Sequence, residues 1–200
     1  TMVSRKMNKN PIAYSKSYTM KKFLLAITLV VPLVVFSQDA AELHKNGRAY
    51  MQNGDHANAI IVLNRALALQ PENMEIAKDL ALNYYYSKEY TKAISVLRPL
   101  IDKETADDHC YQIAGDSYLA LDQKKEAEKI YRKGIRKVSN NGALYNELGQ
   151  LLWSQGDYSA IKQWEKGIES DPAYPGNYYN AARYYYLTTD RVWSLIYGEI

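Results

Sequence analysis

A single cysteine, Cys110, stands in a chain of 200 residues. One thiol cannot close an internal disulfide, nor assemble a cysteine-based metal site alone. The fold must therefore be held by packing, with Cys110 expected as a small, partly buried helix residue. Histidine is nearly as scarce: His44, His56 and His109 fall in unrelated settings and read as solvent-exposed helix or turn residues. Asp107-Asp108-His109 reads as a helix start, where acids favour the positive N-terminal end. No Gly-rich phosphate loop, Gly-x-Ser-x-Gly turn or His-Glu-x-x-His pair occurs. No two titratable groups converge by spacing either, so neither an enzyme, a cofactor nor a metal site is expected. Phenylalanine is rare, at two residues, whereas tyrosine reaches nineteen. Tyrosine suits half-buried surfaces, where the ring packs and the hydroxyl stays wet.

The net charge of +3 is concentrated at one end. Six of the 25 basic residues and none of the 22 acids lie in 1–37, leaving 19 against 22 in 38–200, a net of −3. A nucleic-acid reader needs a clustered positive surface on its folded part, so no nucleic-acid partner is expected. From Met20 a short basic segment leads into an apolar run from Phe23 to Phe36. Val35 and Ser37 then stand at the minus-three and minus-one places of a cut before Gln38. This is the order of a secretory signal peptide over 20–37, with 1–19 as an upstream extension. The run of fourteen residues is short of the roughly twenty that a spanning helix needs. With Gln38 and no cysteine at the cut, a lipid-linked N-terminus is not expected. The reading is export to a bacterial periplasm or cell envelope.

After Ser37 a 34-residue period organises the chain. Small residues recur at Gly47, Ala81, Gly115, Gly149 and Ala182, and alanines at Ala59, Ala93, Ala127 and Ala160. Both series are spaced by 34 residues and shorten to 33 at the same place, which puts a deletion in the turn at Gly156-Asp157-Tyr158. Around each small residue lie apolar positions at offsets of three and four, such as Leu43, Gly47 and Tyr50, or Tyr111, Ala114, Gly115 and Tyr118. Each set marks one face of a helix. The second halves repeat the pattern with Ala59, Leu63 and Ala66, Ala127, Tyr131 and Gly134, or Ala160, Trp164 and Gly167. Pro71 and Pro172 stop second helices. Each unit is thus a pair of helices of about fourteen residues. A pair cannot bury its face alone, so neighbours must stack.

This pattern resembles the tetratricopeptide repeat. The first unit carries Gly47, Tyr50, Ala59, Leu63, Ala66 and Pro71, and the fourth carries Leu148, Gly149, Ala160, Trp164 and Pro172. The sequence departs from the repeat signature at Asn46, Thr105, Ser139 and Ser194. The resemblance covers 38–200 and implies an all-α, right-handed superhelical solenoid of antiparallel helix pairs. Its repeats would be 40–73, 74–107, 108–141, 142–174 and an incomplete 175–200. Trp193, Leu195, Ile196 and Tyr197 then lack a following helix, an expectation that the protein continues or that these residues dock elsewhere.

The resemblance further implies a non-enzymatic scaffold that binds a peptide or partner protein in a concave groove lined by first helices. Large side chains recur at Met51, Tyr85, Leu119, Trp153 and Tyr186, with Tyr86 beside them and Arg48, Asp116, Gln150 and Arg183 three residues earlier. Either they line that groove as anchors or they pack between adjacent first helices. The carboxylate clamp of co-chaperone arrays is absent, its places being held by His44, Arg48, Asp79, His109 and Ile113. The alternative function is a module that positions an enzymatic or surface-assembly domain beyond residue 200. The basic stretch Lys124, Lys125, Lys129, Arg132, Lys133, Arg136 and Lys137 reads as a solvated convex face, with an anionic partner as the rival reading. Membrane contact is expected only through an uncleaved leader or through this face. Ser37→Leu is expected to block export, and N-terminal sequencing of envelope material should read Gln38 for the native chain, whereas Met20 would show an uncleaved anchor.

Overall fold

The computed structural model describes residues 39–188 and 191–198. The leader, 1–37, lies outside them. Among the described residues there are ten helices and no strands. The first helix of each pair is α1 (Ala40–Gln52), α3 (Met74–Tyr86), α5 (Asp108–Ala120), α7 (Gly142–Ser154) and α9 (Pro175–Leu187). Their partners are α2 (His56–Leu69), α4 (Tyr90–Asp102), α6 (Lys124–Lys137), α8 (Ala160–Ser170) and α10 (Arg191–Gly198). No helix among the described residues is long and apolar enough to cross a membrane.

Side-chain oxygens that satisfy free N–H groups start several of these helices. Asp39 accepts from the amide of Glu42 at 2.7 Å, Asp55 from Asn58 at 3.1 Å and Asp107 from Cys110 at 2.9 Å. Helices α2 and α8 end one residue before the dipeptides Gln70-Pro71 and Asp171-Pro172. Helix α8 is short, at eleven residues, because Tyr158 and Ser159 form a turn where the earlier second helices are already helical. That is where the period loses its residue.

The turn inside each pair is built the same way four times. Gly54, Lys88, Asp122 and Gly156 all have positive φ, from 57° to 75°. Each donates its amide to the carbonyl three residues back, on Met51, Tyr85, Leu119 and Trp153, at 2.8–3.0 Å. The next residue donates to the carbonyl of Tyr50, Tyr84, Tyr118 or Leu152. This pair of bonds ends a helix in the Schellman manner and favours glycine at the left-handed residue. Lys88 and Asp122 hold that conformation despite their Cβ atoms.

Packing inside a pair sets a small residue against a large one. A Cβ built on Gly47 would lie 2.6 Å from Leu63. One built on Gly115 would overlap the Tyr131 ring, and one on Gly149 the indole of Trp164. The alanines Ala59, Ala93, Ala127 and Ala160 are all 0% exposed, where the second helix crosses the first. Gly134 does the same between repeats, meeting Tyr111 and Leu144. Leu63, Leu97, Tyr131 and Trp164 are buried, and each such side chain contributes about 1.5–3 kcal/mol. Cys110 also lies in this core, fully buried rather than partly so. Ala114 and Ile113 follow it on the same buried face of α5.

The seams between repeats change in chemistry along the array. The first two are tied by charges: Arg48 to Asp79 and Glu75, Lys103 to Glu72, and Lys78 to Asp107 at 2.6 Å. The second also carries Lys137–Glu104 at 2.7 Å, and the third joins a Gln112 amide to Glu147. The last is tied by amides alone among these polar contacts. Asn180 donates to Asn146 at 2.7 Å, and Asn177 to the carbonyl of Gly142 at 2.9 Å.

Two substitutions test this account by chemical denaturation. Gly115→Leu should cost about 1–3 kcal/mol or more by overpacking against Tyr131. Lys88→Gly should instead stabilise by roughly 0.5–1 kcal/mol, because it relieves a left-handed side-chain conformation that costs about 1–2 kcal/mol.

Candidate functional site

First helices touch the next first helix all along the array, whereas no second helix reaches the next second helix among the described residues. The first-helix layer is therefore the inside of the curve. Between α3 and α5 this face opens into a cavity of about 360 Å³. Leu82, Tyr85, Tyr86, Gln112, Ile113 and Asp116 are among its lining residues. A smaller cavity of about 100 Å³ lies farther along, lined by Gln150, Trp153, Trp164, Asn180, Arg183 and Tyr184.

The large side chains singled out in the sequence divide between these settings. Met51, Tyr85, Leu119 and Trp153 are half-buried and packed against the core. Trp153 sits edge-on to Tyr158 and Tyr184, with centroids 5.7 and 5.3 Å away. Tyr85 sits edge-on to Tyr90 at 5.5 Å and to Tyr86 at 5.9 Å. Tyr186 is 68% exposed, and Tyr86, 57% exposed, tilts against the His56 ring. The larger cavity brings Tyr85 and Tyr86 together, and the smaller one Gln150, Trp153 and Arg183. Met51, Leu119 and Tyr186 enter neither of these two cavities. Arg48 stands apart and exposed, its guanidinium on Asp79 at 2.6 Å and on Glu75 at 3.2 Å.

Two histidines depart from the sequence reading. His44 is half-buried and donates from Nε2 to Asp79 at 2.7 Å. His56 is half-buried too, and its Nδ1 donates to Oδ1 of the fully buried Asn83 at 2.9 Å. Each secures one repeat to the next. His109 is exposed, as its place at a helix start implies. Asp107, Asp108 and His109 lie close enough to share an ion. However, Asp107 already caps α5 and pairs with Lys78.

Electrostatics along this face is uneven. Burial works against the Lys78 ammonium, but its bonds to Asp107 and Glu75 outweigh that and raise its pKa. The Asp107 carboxyl is correspondingly lowered despite its own burial. Asp116 and Glu147 behave oppositely. Burial raises Asp116, although its Oδ1 accepts from the Tyr131 hydroxyl at 2.5 Å. Burial, and then the charge of Asp116, push Glu147 up to about 7. Gln112 donates to Glu147 at 3.3 Å. Among the described residues neither carboxylate is in an ion pair. The sequence reading left Glu147 out and gave Asp116 only a framing role. A signal was present: neither acid has a Lys or Arg within four residues on its own helix.

On the opposite face, α6 carries the basic stretch, and much of its charge is met locally. Arg132 pairs with Glu128 at 2.8 Å, Lys129 with Glu126 at 3.7 Å and Lys124 with Asp122 at 4.0 Å. Lys133 donates to the carbonyl of Ile101 at 2.7 Å. Exposed pairs of this kind contribute about 0–1 kcal/mol each, so this face is a solvated one rather than a bare positive patch.

Comparison with known proteins extends these observations. A family profile described as "Anaphase-promoting complex, cyclosome, subunit 3" matches residues 37–134, and one described as "Tetratricopeptide repeat" matches residues 114–178. BBSome complex member BBS4 of Bos taurus is 30% identical over 136 residues, which are 68% of this chain and 26% of that protein. Its counterpart in Mus musculus is 29% identical over 118 residues, 59% of this chain and 22% of that one. The chain thus spans about a quarter of the length of the curated relatives it matches. Among solved structures, MamA superimposes with a TM-score of 0.63 at 24% identity, over 76% of this chain and 90% of that one. Pseudomonas aeruginosa pilF gives 0.68 at 16% identity, over 80% and 73%. YrrB, described as a TPR protein with an unusual peptide-binding site, gives 0.56 at 18% identity, over 80% and 82%. At such identities the likeness carries the fold alone. With the two profiles spanning 37–178 over helix pairs that stack through recurring small and large positions, the chain belongs to the tetratricopeptide repeat family.

Proposed function

We propose that the array is a non-enzymatic scaffold that holds an extended segment of a partner protein along its first-helix face. The observation that carries this reading is the cavity between α3 and α5, with the exposed Tyr86 ring at its edge. Tyrosine anchors a partner at little entropic cost and keeps its hydroxyl in water when unoccupied. The family supports protein–protein interaction in general, and the names of its relatives point the same way. BBS4 is named as a member of a complex, and YrrB as having a peptide-binding site. Export to a bacterial cell envelope forms part of the proposal. It rests on the basic, apolar and small-residue order that ends at Ser37.

Exposure separates binding from folding on this surface. Tyr86→Ala should leave thermal unfolding unchanged within a degree or so and weaken partner capture by ~2 kcal/mol, the scale of an interface anchor. Trp153→Ala, which opens the Tyr158–Tyr184 cluster, should instead lower stability by about 3 kcal/mol. Melting curves and affinity-capture titrations on both variants check this. A Tyr86→Ala protein that captures its partner at native strength would overturn the assignment of binding to this face.

A further inference from the structure

The cations on the inner face of the first three repeats are already spent. Arg48 is held by Asp79 and Glu75, and Lys78 by Asp107 and Glu75. Asp116 and Glu147 are what is left. Tyr131 and Gln112 give each a neutral hydrogen bond, which orients a carboxylate without cancelling its charge. The groups bearing on Glu147 are Asp116 and Gln112 from α5, Tyr85 from α3, Tyr131 from α6, Asn146 from α7 and Tyr174 before α9. None of them is a cation. Half-buried carboxylates in such surroundings are costly to keep charged.

A second, independent observation is room. The cavity of about 360 Å³ reaches Asp116 itself and Gln112, the donor to Glu147. Leu82, Ile113 and Tyr85 give it an apolar and aromatic wall, and Lys78, Asp79 and His109 line it too, with the Lys78 ammonium already held by Asp107 and Glu75. A chain of methylenes that ends in a cation fits such a wall, since the stem packs while the head reaches the charge. An aromatic face beside the path adds attraction for the cation. A divalent ion fits less well, because among the described residues no third carboxylate, His or Cys joins the two acids within ligand reach.

We infer that the first-helix face between α3 and α7 takes a lysine or arginine side chain of the partner segment, with Asp116 and Glu147 as its counter-charges and Tyr85 as its wall. This rests on the scaffold reading and names the chemistry of its occupant. It has a pH signature. Glu147 is raised to about 7 from its ordinary 4.5. Its contribution to stability is therefore full below its unfolded value and is lost as pH rises through the folded one. Binding of a cation runs the other way and strengthens as Glu147 ionises, so a basic peptide should bind more tightly at pH 8 than at pH 6.

The test is selection of a random dodecapeptide phage library on the full chain at pH 8 and low salt. Recovered peptides are then titrated against Glu147→Gln, Asp116→Asn and Tyr86→Ala. Lysine or arginine should be enriched at one position, and those peptides should lose about tenfold in affinity on either carboxylate variant. Glu147→Gln should also raise the melting temperature by about 2–4 °C at pH 8 and leave it nearly unchanged at about pH 4, below the unfolded value. Three results overturn the proposal: no enriched peptide, enrichment without a basic residue, or basic peptides that bind both carboxylate variants at native strength. No rise in melting at pH 8 overturns it as well, since the charge would then already be compensated. Non-basic peptides that are lost on Tyr86→Ala would sink this inference and leave the scaffold reading standing. Peptides indifferent to Tyr86→Ala and to both carboxylate variants would overturn both.

Discussion

Gly47, Gly115 and Gly149 on three of the first helices each lie against a large side chain of the partner helix, and this close approach is the constraint from which the rest follows. At Gly115 it is tightest, because the Tyr131 ring occupies the space a Cβ would need. The same ring carries its hydroxyl to Asp116 at 2.5 Å. One contact thus closes the central helix pair and fixes a carboxylate on the inner face. Packing and site electrostatics share an atom-level cause there. A change meant to alter one of them would reach the other through a single rigid side chain.

Most of the fold was legible because its rule is periodic. The spacing of Gly47, Gly115 and Gly149 requires a second helix to come close, and Leu63, Tyr131 and Trp164 meet them as the period implies. The one-residue shortening was readable too, and it emerges as the late start of α8. What escaped was whatever depends on neighbours a repeat away. His44 and His56 looked exposed because nothing adjacent in sequence announces Asp79 or Asn83 as partners. Lys88 and Asp122 adopt positive φ without glycine to mark them. The turn geometry comes from the Schellman bonds and overrides local preference.

The candidate site was legible only as a stripe. Offsets from the small core positions placed Met51, Tyr85, Leu119, Trp153 and Tyr186 in one row. Helical periodicity alone, however, cannot say how far neighbouring helices overlap such a row. In the folded array four of these side chains are half-covered, while Tyr86, one residue along, is the exposed ring at the cavity. Glu147 was passed over because a single acid on a helix carries no pattern. Its significance comes from Asp116 on the preceding first helix and from the lack of an ion-pair partner among the described residues. Family membership speaks for the layered helices that present such a face. Which charges stand on it belongs to this chain.

The change in seam chemistry gives the array a polarity that its geometry conceals. Ion pairs such as Arg48–Asp79 and Lys78–Asp107 tie the early repeats, whereas Asn177 and Asn180 tie the last. Dissolved electrolyte weakens the former and scarcely touches the latter, since amide bonds carry no net charge to be screened. A rise in ionic strength would therefore soften one half of the spring and spare the other. Bending under load would migrate toward the end that begins at Ala40, and a partner spanning the whole face would feel a compliance gradient along its length.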